Sequence, residues 1–240
     1  MRSGGRRLRF SGLLLFLRSG ALLLMCRNLL LLLLLVMTGV LAAQTDSVDY
    51  RRLQFGVVGG QQYNEVDFTP NRDVHTVEGR SYGVALRYFD KQLVGFQAEV
   101  SYEQAGWQEE LGDLGTYVRR TEYLDLQILT QFSIGRGWLQ PLLQAGPYLS
   151  FPLATEQELP AGFNPEDYPV NTYYGQEIDF RVNYGLRAGL GFNLEFGPLT
   201  VQIDGRYLQG FSNLIKPGSS DTSTNIRRGF GGHFGLFYAL

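Results

Sequence analysis

The chain has 240 residues, 44% hydrophobic and 18% charged, with 21 basic against 23 acidic groups. That balance excludes the strongly basic surface that binding to nucleic acid requires. One cysteine, Cys26, excludes an internal disulfide framework.

Residues 1–43 read as an address rather than part of a fold. Arg2, Arg6, Arg7, Arg9, Arg18 and Arg27 form a basic lead, Leu29 to Val36 are an uninterrupted apolar run, and Val40-Leu41-Ala42-Ala43 offers small residues for cleavage. The run reaches only to about Leu41, short of the ~20 residues a helix needs to span a bilayer, so a cleavable signal peptide is expected. The basic lead is long, which leaves Met25 as an alternative start. Removing the segment takes six arginines and Cys26 but no acidic residue. It leaves 197 residues with 15 basic and 23 acidic groups, a net charge of minus 8. Residues 44–52 then form a short periplasmic lead to a barrel domain over 53–240.

Eight strands are predicted: Leu53 to Tyr63, Arg80 to Phe89, Leu93 to Gln104, Thr121 to Ile134, Trp138 to Phe151, Glu177 to Phe196, Leu199 to Phe211 and Arg228 to Leu240. The sixth is the clearest. From Ile178 to Phe196 every second residue is apolar, while Asp179, Arg181, Asn183, Gly185, Arg187, Gly189, Gly191, Asn193 and Glu195 alternate with them. A period of two places these sets on opposite faces of a strand, and 19 positions far exceed the ~5 to 6 residues of a common soluble strand. Tyr82, Val84, Leu86 and Tyr88, and Phe96, Ala98, Val100 and Tyr102, repeat the pattern. Pro141 and Pro147 fall inside the fifth strand and remove ladder donors there, which predicts bulges or a strand leaving the sheet before Pro152.

The connections alternate in length. Asp90-Lys91-Gln92, Gly135-Arg136-Gly137 and Gly197-Pro198 read as tight turns, whereas 64–79, 105–120, 152–176 and 212–227 are long and polar. Strict alternation puts every short turn at one end of an up-and-down meander, as in outer-membrane barrels with short periplasmic turns and both termini periplasmic. Phe234, Leu236, Tyr238 and Leu240 keep one face apolar to the last residue. This resembles the terminal strand read by the barrel assembly machinery.

The expected fold class is therefore all-β, an eight-stranded antiparallel up-and-down transmembrane β-barrel. An open edge would leave backbone groups unpaired in hydrocarbon, so the sheet must close. Tyr82, Tyr88, Trp107, Trp138, Tyr148, Phe196, Tyr207, Phe211 and Tyr238 are available for interfacial girdles against outer-membrane lipid. Arg87, Glu99, Glu103, Asp125, Arg181, Arg187, Asp204 and Arg206 fall on the opposite face. An eight-stranded barrel is narrow enough to be filled by side chains, so these charges are expected to pair as a plug; a narrow porin-like channel is the alternative.

Catalytic signals are sparse. His75 sits in a polar predicted loop, and His233 is expected to face inward because Phe234 faces out. Some eight-stranded outer-membrane barrels are lipid A deacylases with a Ser/His/acid arrangement, but Gly232-His233-Phe234-Gly235 supplies no nearby serine. No grouped His or Cys suggests a metal site, and no cofactor motif is present. The segment 152–176 carries Glu156, Glu158, Glu166 and Asp167 with Tyr173-Tyr174, a candidate loop for contact with other envelope or secretion proteins. A lipid-modifying enzyme, and a secreted soluble barrel with its apolar face around a ligand, are further alternatives.

Tyr123-Leu124-Asp125-Leu126-Gln127-Ile128-Leu129, followed by Pro141-Leu142-Leu143-Gln144-Ala145-Gly146-Pro147-Tyr148-Leu149-Ser150, resembles the PorT-like family of bacterial outer-membrane β-barrel proteins. Glu99 to Gly106 and Arg206-Tyr207 are similar to other recurring stretches of that family. The resemblance spans residues 53 to 240. It implies an integral barrel of the bacterial outer membrane; the namesake member is implicated in protein secretion across that membrane, and most members have no assigned activity. A non-enzymatic barrel acting as an envelope structural, interaction or secretion-accessory protein is therefore expected.

Overall fold

The computed structural model describes residues 53–91, 93–135, 137–164, 173–175, 182–215 and 220–240. They form eight antiparallel strands: β1 (Leu53–Thr69), β2 (Val74–Lys91), β3 (Val94–Glu110), β4 (Thr116–Ser133), β5 (Leu139–Glu158), β6 (Asn183–Phe196), β7 (Leu199–Asn213) and β8 (Thr224–Ala239). Each pairs with its neighbour in sequence, and β1 pairs with β8 from Gln54↔Ala239 to Thr69↔Thr224, closing the barrel. Closure satisfies every edge, the condition for a sheet surrounded by hydrocarbon.

The two faces separate cleanly. Leu190 is 71% exposed and Tyr82 61%, while Arg87, Glu103 and Asp125 are fully buried on the other face. Apolar side chains thus point out and charges point in, which overturns the soluble barrel with an inward apolar face. Outward aromatics close the apolar belt at both ends, with Tyr63, Tyr82 and Tyr207 towards the long loops and Tyr88, Trp138, Phe196 and Tyr238 towards the short turns. Trp107 and Tyr148 are not girdle residues, contrary to expectation: both are inside, 2% and 1% exposed. Trp107 shares the parity of Glu99 and Glu103 along β3, and Tyr148 that of Gln144 along β5, so alternation turns both inward.

The short turns fall where expected, and Gly197 between β6 and β7 adopts the left-handed φ of 61° that favours glycine. The strands are longer than the sequence indicates at the opposite end. β1 continues to Thr69, β2 starts at Val74, β3 continues to Glu110, β4 starts at Thr116 and β5 reaches Glu158. Polar outward residues there hid the alternation, because above the lipid the outer face meets water. Glu78, Arg80, Arg120 and Glu122 are such residues. The expected loops accordingly shrink, to four residues between β1 and β2 and five between β3 and β4. β6 begins at Asn183, and the Ile178 to Arg181 part of the long stripe lies outside the described residues.

β5 keeps its register through Pro141, opposite Phe192, and Pro147, opposite Leu186. Pro147 coincides with a gap in the β4 ladder between Gln127↔Tyr148 and Thr130↔Ala145, not with a bulge. The one register shift of this pair lies at Glu122/Tyr123, where Leu153 is the extra residue, and the strand continues past Pro152.

Candidate functional site

The lumen is filled in layers. At the short-turn end Phe237 and Ala85 are buried with Val58, and the Arg87 guanidinium lies 3.7 Å from the Phe237 ring centre. Arg87 donates to amide oxygens, to Gln97 at 3.0 Å and Gln54 at 3.2 Å, and also to Gln202. It therefore sits among amides rather than in direct contact with a carboxylate.

Above it Arg206 reaches Glu99 at 2.9 Å and Asp204 at 2.6 Å. Gln144 donates to Asp204 at 2.8 Å and accepts from Gln131 at 2.8 Å, which joins β4, β5 and β7 across the interior. His233 faces inward, 8% exposed, between its cross-strand neighbours Asp204 and Gly60.

The next layer is the most strongly charged. Arg187 Nη2 contacts both Glu103 and Asp125 at 2.5 Å, and Arg227 pairs with the second Glu103 oxygen. Asn64 accepts from Arg227 at 3.2 Å, and the rings of Tyr148 and Tyr123 lie 5.2 and 4.9 Å from the Arg187 and Arg227 guanidinium carbons. These two levels and Arg87 together hold four arginines against Glu99, Glu103, Asp125 and Asp204, so the bilayer-level charge cancels. Buried ions at this density persist only through such partnering.

Arg227 was hidden from sequence reading because it lay in an expected loop; the continued alternation of Asn225, Arg227 and Gly229 was its signal. Arg119, 1% exposed and 5.6 Å over the Trp107 ring, was missed for the same reason. Arg181 lies outside the described residues.

Above the lipid the mouth is aromatic. Val66, Phe68, Trp107 and Tyr117 from the strands pack with Tyr173, Tyr174, Leu214 and Ile215 from the loops. Phe68 stacks on Tyr173 with ring centres 5.5 Å apart and planes 12° apart. Glu109 organises this lid: it accepts from Arg72 at 2.9 Å, from Tyr174 at 2.8 Å and from Tyr173, and Arg72 also reaches Asp221 at 2.6 Å. Burial, then the adjacent Glu109 carboxylate, pushes both phenols above the usual tyrosine range. Burial disfavours the Arg72 charge, but its surroundings, the hydrogen-bonded Glu109 carboxylate among them, more than offset that and its proton is held more tightly than usual.

Tyr173 and Tyr174 are thus not solvated contact residues, as the loop composition suggested; they are 2% and 4% exposed. Two phenol rings carry a large apolar area whose polar ends seek a partner, and the mouth offers both. Of the remaining loop candidates, Glu156 and Glu158 are exposed on β5, Glu158 pairing with Arg120, while Glu166 and Asp167 lie outside the described residues.

On the outer side of the same rim, Asp73, His75 and Glu110 come together, with ligand atoms all within 4.8 Å of one another. His75 is on β2 rather than in a loop. No sequence spacing announced this group, because Glu110 is brought to it by the β2/β3 pairing.

The chain matches the family described as outer membrane protein beta-barrel domain over residues 42–216. No curated protein matches it. Among solved structures, the Neisserial surface protein A is similar at 12% identity and a TM-score of 0.45, covering 78% of this chain and 97% of that one. The outer membrane protein OprG from Pseudomonas aeruginosa is similar at 14% identity and a TM-score of 0.45, covering 80% and 98%. Outer membrane protein AlkL follows at 16% identity and 0.43, covering 82% and 94%. The closed eight-stranded ring, its outward apolar belt and the match over most of the chain lead to one assignment: this is an outer-membrane β-barrel protein, a member of the outer membrane protein beta-barrel domain family.

Proposed function

We propose that the protein is a sealed, non-enzymatic envelope barrel of the PorT-like type, acting as a structural and contact element or secretion accessory. Its termini lie in the periplasm and its long-loop rim faces outward from the cell. The observation carrying this reading is the charge layer in which Arg187 and Arg227 hold Glu103 and Asp125 in direct contact. Among the described residues the lumen is filled by paired ions, with Phe237 below and the Tyr173-Tyr174 lid above, and a barrel of eight strands filled in this way is expected to block water and solutes. His233 is buried in the lumen between Asp204 and Gly60, which supports a lumen-filling rather than a catalytic role for it. Three short turns at the end shared by the start of β1 and the end of β8 support the orientation. Partner contact then falls to the water-exposed rim, where Glu156 and Glu158 stand on β5. Assembly is proposed to use β8, whose Phe234, Leu236 and Tyr238 face lipid.

Single-channel recording of the refolded full-length protein in planar bilayers tests the seal. The expected trace is flat, at the level of protein-free membrane. A large, steady conductance would overturn the reading in favour of a narrow channel.

A further inference from the structure

We infer that Asp73, His75 and Glu110 form a binding site for a divalent transition-metal ion of the zinc class on the outer rim of the barrel. The proposal goes beyond the sealed-barrel reading and does not depend on it. His75 Nε2 lies 3.6 Å from Asp73 Oδ1 and 3.5 Å from Glu110 Oε1. Ligands at the ~2.0–2.2 Å bond lengths of zinc to His and carboxylate stand ~3.4 Å apart along a tetrahedral edge. Both separations are within about 0.2 Å of that edge. The two carboxylates, within 4.8 Å of one another, need only a side-chain rotation to close the third edge. All three side chains are exposed, so the rotation meets solvent rather than packed neighbours and the remaining coordination positions open to water.

The backbone beneath is already set. Val74 pairs with Glu109 and His75 with Gln108, and the Glu110 amide donates to the Asp73 carbonyl at 3.2 Å. The last residue of the β1–β2 turn, the start of β2 and the end of β3 therefore present the three donors from backbone that is already paired. One imidazole with two carboxylates suits Zn²⁺, Cu²⁺ or Ni²⁺ better than Ca²⁺ or Mg²⁺, which take oxygen donors only. A bound ion would clamp the β1–β2 turn to the end of β3, on the outside of the rim whose inside is held by Arg72 and Glu109.

The chain has two histidines, and His233 is buried in the lumen. This permits an assignment by resonance. Full-length protein with labelled imidazoles, in detergent micelles, is titrated with zinc chloride while its affinity is measured by calorimetry. The His75 signals are expected to shift or broaden at one equivalent while those of His233 stay in place. His75→Ala is expected to weaken zinc binding at least tenfold, and Glu110→Gln to weaken it several-fold, with calcium chloride giving no His75 response. His75 resonances unmoved at ten equivalents, or zinc affinity within twofold of the parent in His75→Ala, would overturn the proposal. All three positions are exposed, and heat-dependent gel mobility verifies that each variant still forms the barrel.

Discussion

Arg187 on β6 meets Glu103 on β3 at 2.5 Å, although these strands are not neighbours and touch only through the lumen. Glu103 also carries Arg227 from β8, so one carboxylate ties three separated strands together. Glu103→Gln keeps the volume but leaves Arg227 without a carboxylate in contact and Arg187 with Asp125 alone. Removing one partner of a buried ion pair costs about 3–5 kcal/mol. Urea unfolding in lipid vesicles, followed by heat-dependent mobility, is expected to show a loss of that size. The double change Glu103→Gln/Arg227→Gln should recover part of it. A single-variant loss below ~1 kcal/mol would mean that the layer tolerates unpaired charge.

The bilayer-level barrel was legible because lipid imposes strict alternation on each strand, and a single period-two rule then assigns both faces. Arg87, Glu99, Glu103, Asp125, Arg187, Asp204 and Arg206 were placed by that rule alone. The rule lapses where the outer face meets water. Arg119, Arg227 and Trp107 stand on strand extensions whose outward residues mix polar and apolar, with Arg120 and Val118 beside Arg119, Arg228 and Ile226 beside Arg227, and Gly106 and Gln108 beside Trp107, so the contrast between faces fades and the alternation reads as loop. Tyr148 failed differently: β5 has Leu142 and Leu143 side by side, apolar on both faces, and its phase could not be read. Pairings such as Glu109 with Tyr173, or His75 with Glu110, depend on cross-strand register and loop return, which no single segment encodes.

The lid responds to pH in a defined direction. Tyr173 and Tyr174 are held protonated by burial and by Glu109. The unfolded value of a tyrosine is ~10, and the folded values are raised above it. The stabilisation is therefore fully present below pH ~10 and is lost as pH rises through the folded values. Of the 14 tyrosines, these two are expected to ionise after the exposed ones in an ultraviolet phenolate titration. In Glu109→Gln they should ionise at lower pH, because the second contribution is gone while burial remains. Titration of both phenols together with the exposed set would show that the lid does not hold in solution.

The two tryptophans report the two faces independently. Trp138 is 65% exposed beside the short turn that precedes β5, at a belt end, whereas Trp107 is 2% exposed inside the mouth. Aromatic rings at a belt end sit at the level of lipid headgroups, so a quencher carried by lipid reaches Trp138 but meets the barrel wall before Trp107. In vesicles containing lipids brominated near the headgroup, the Trp107→Phe variant, which retains Trp138, should lose most of its fluorescence. The Trp138→Phe variant, which retains Trp107, should lose little. Trp107→Phe leaves an aromatic ring against Phe68 and Tyr173, and unchanged heat-dependent mobility would verify that the barrel is intact. Equal quenching of the two variants would place Trp107 on the lipid face and reverse the assigned parity of β3 above Gln104.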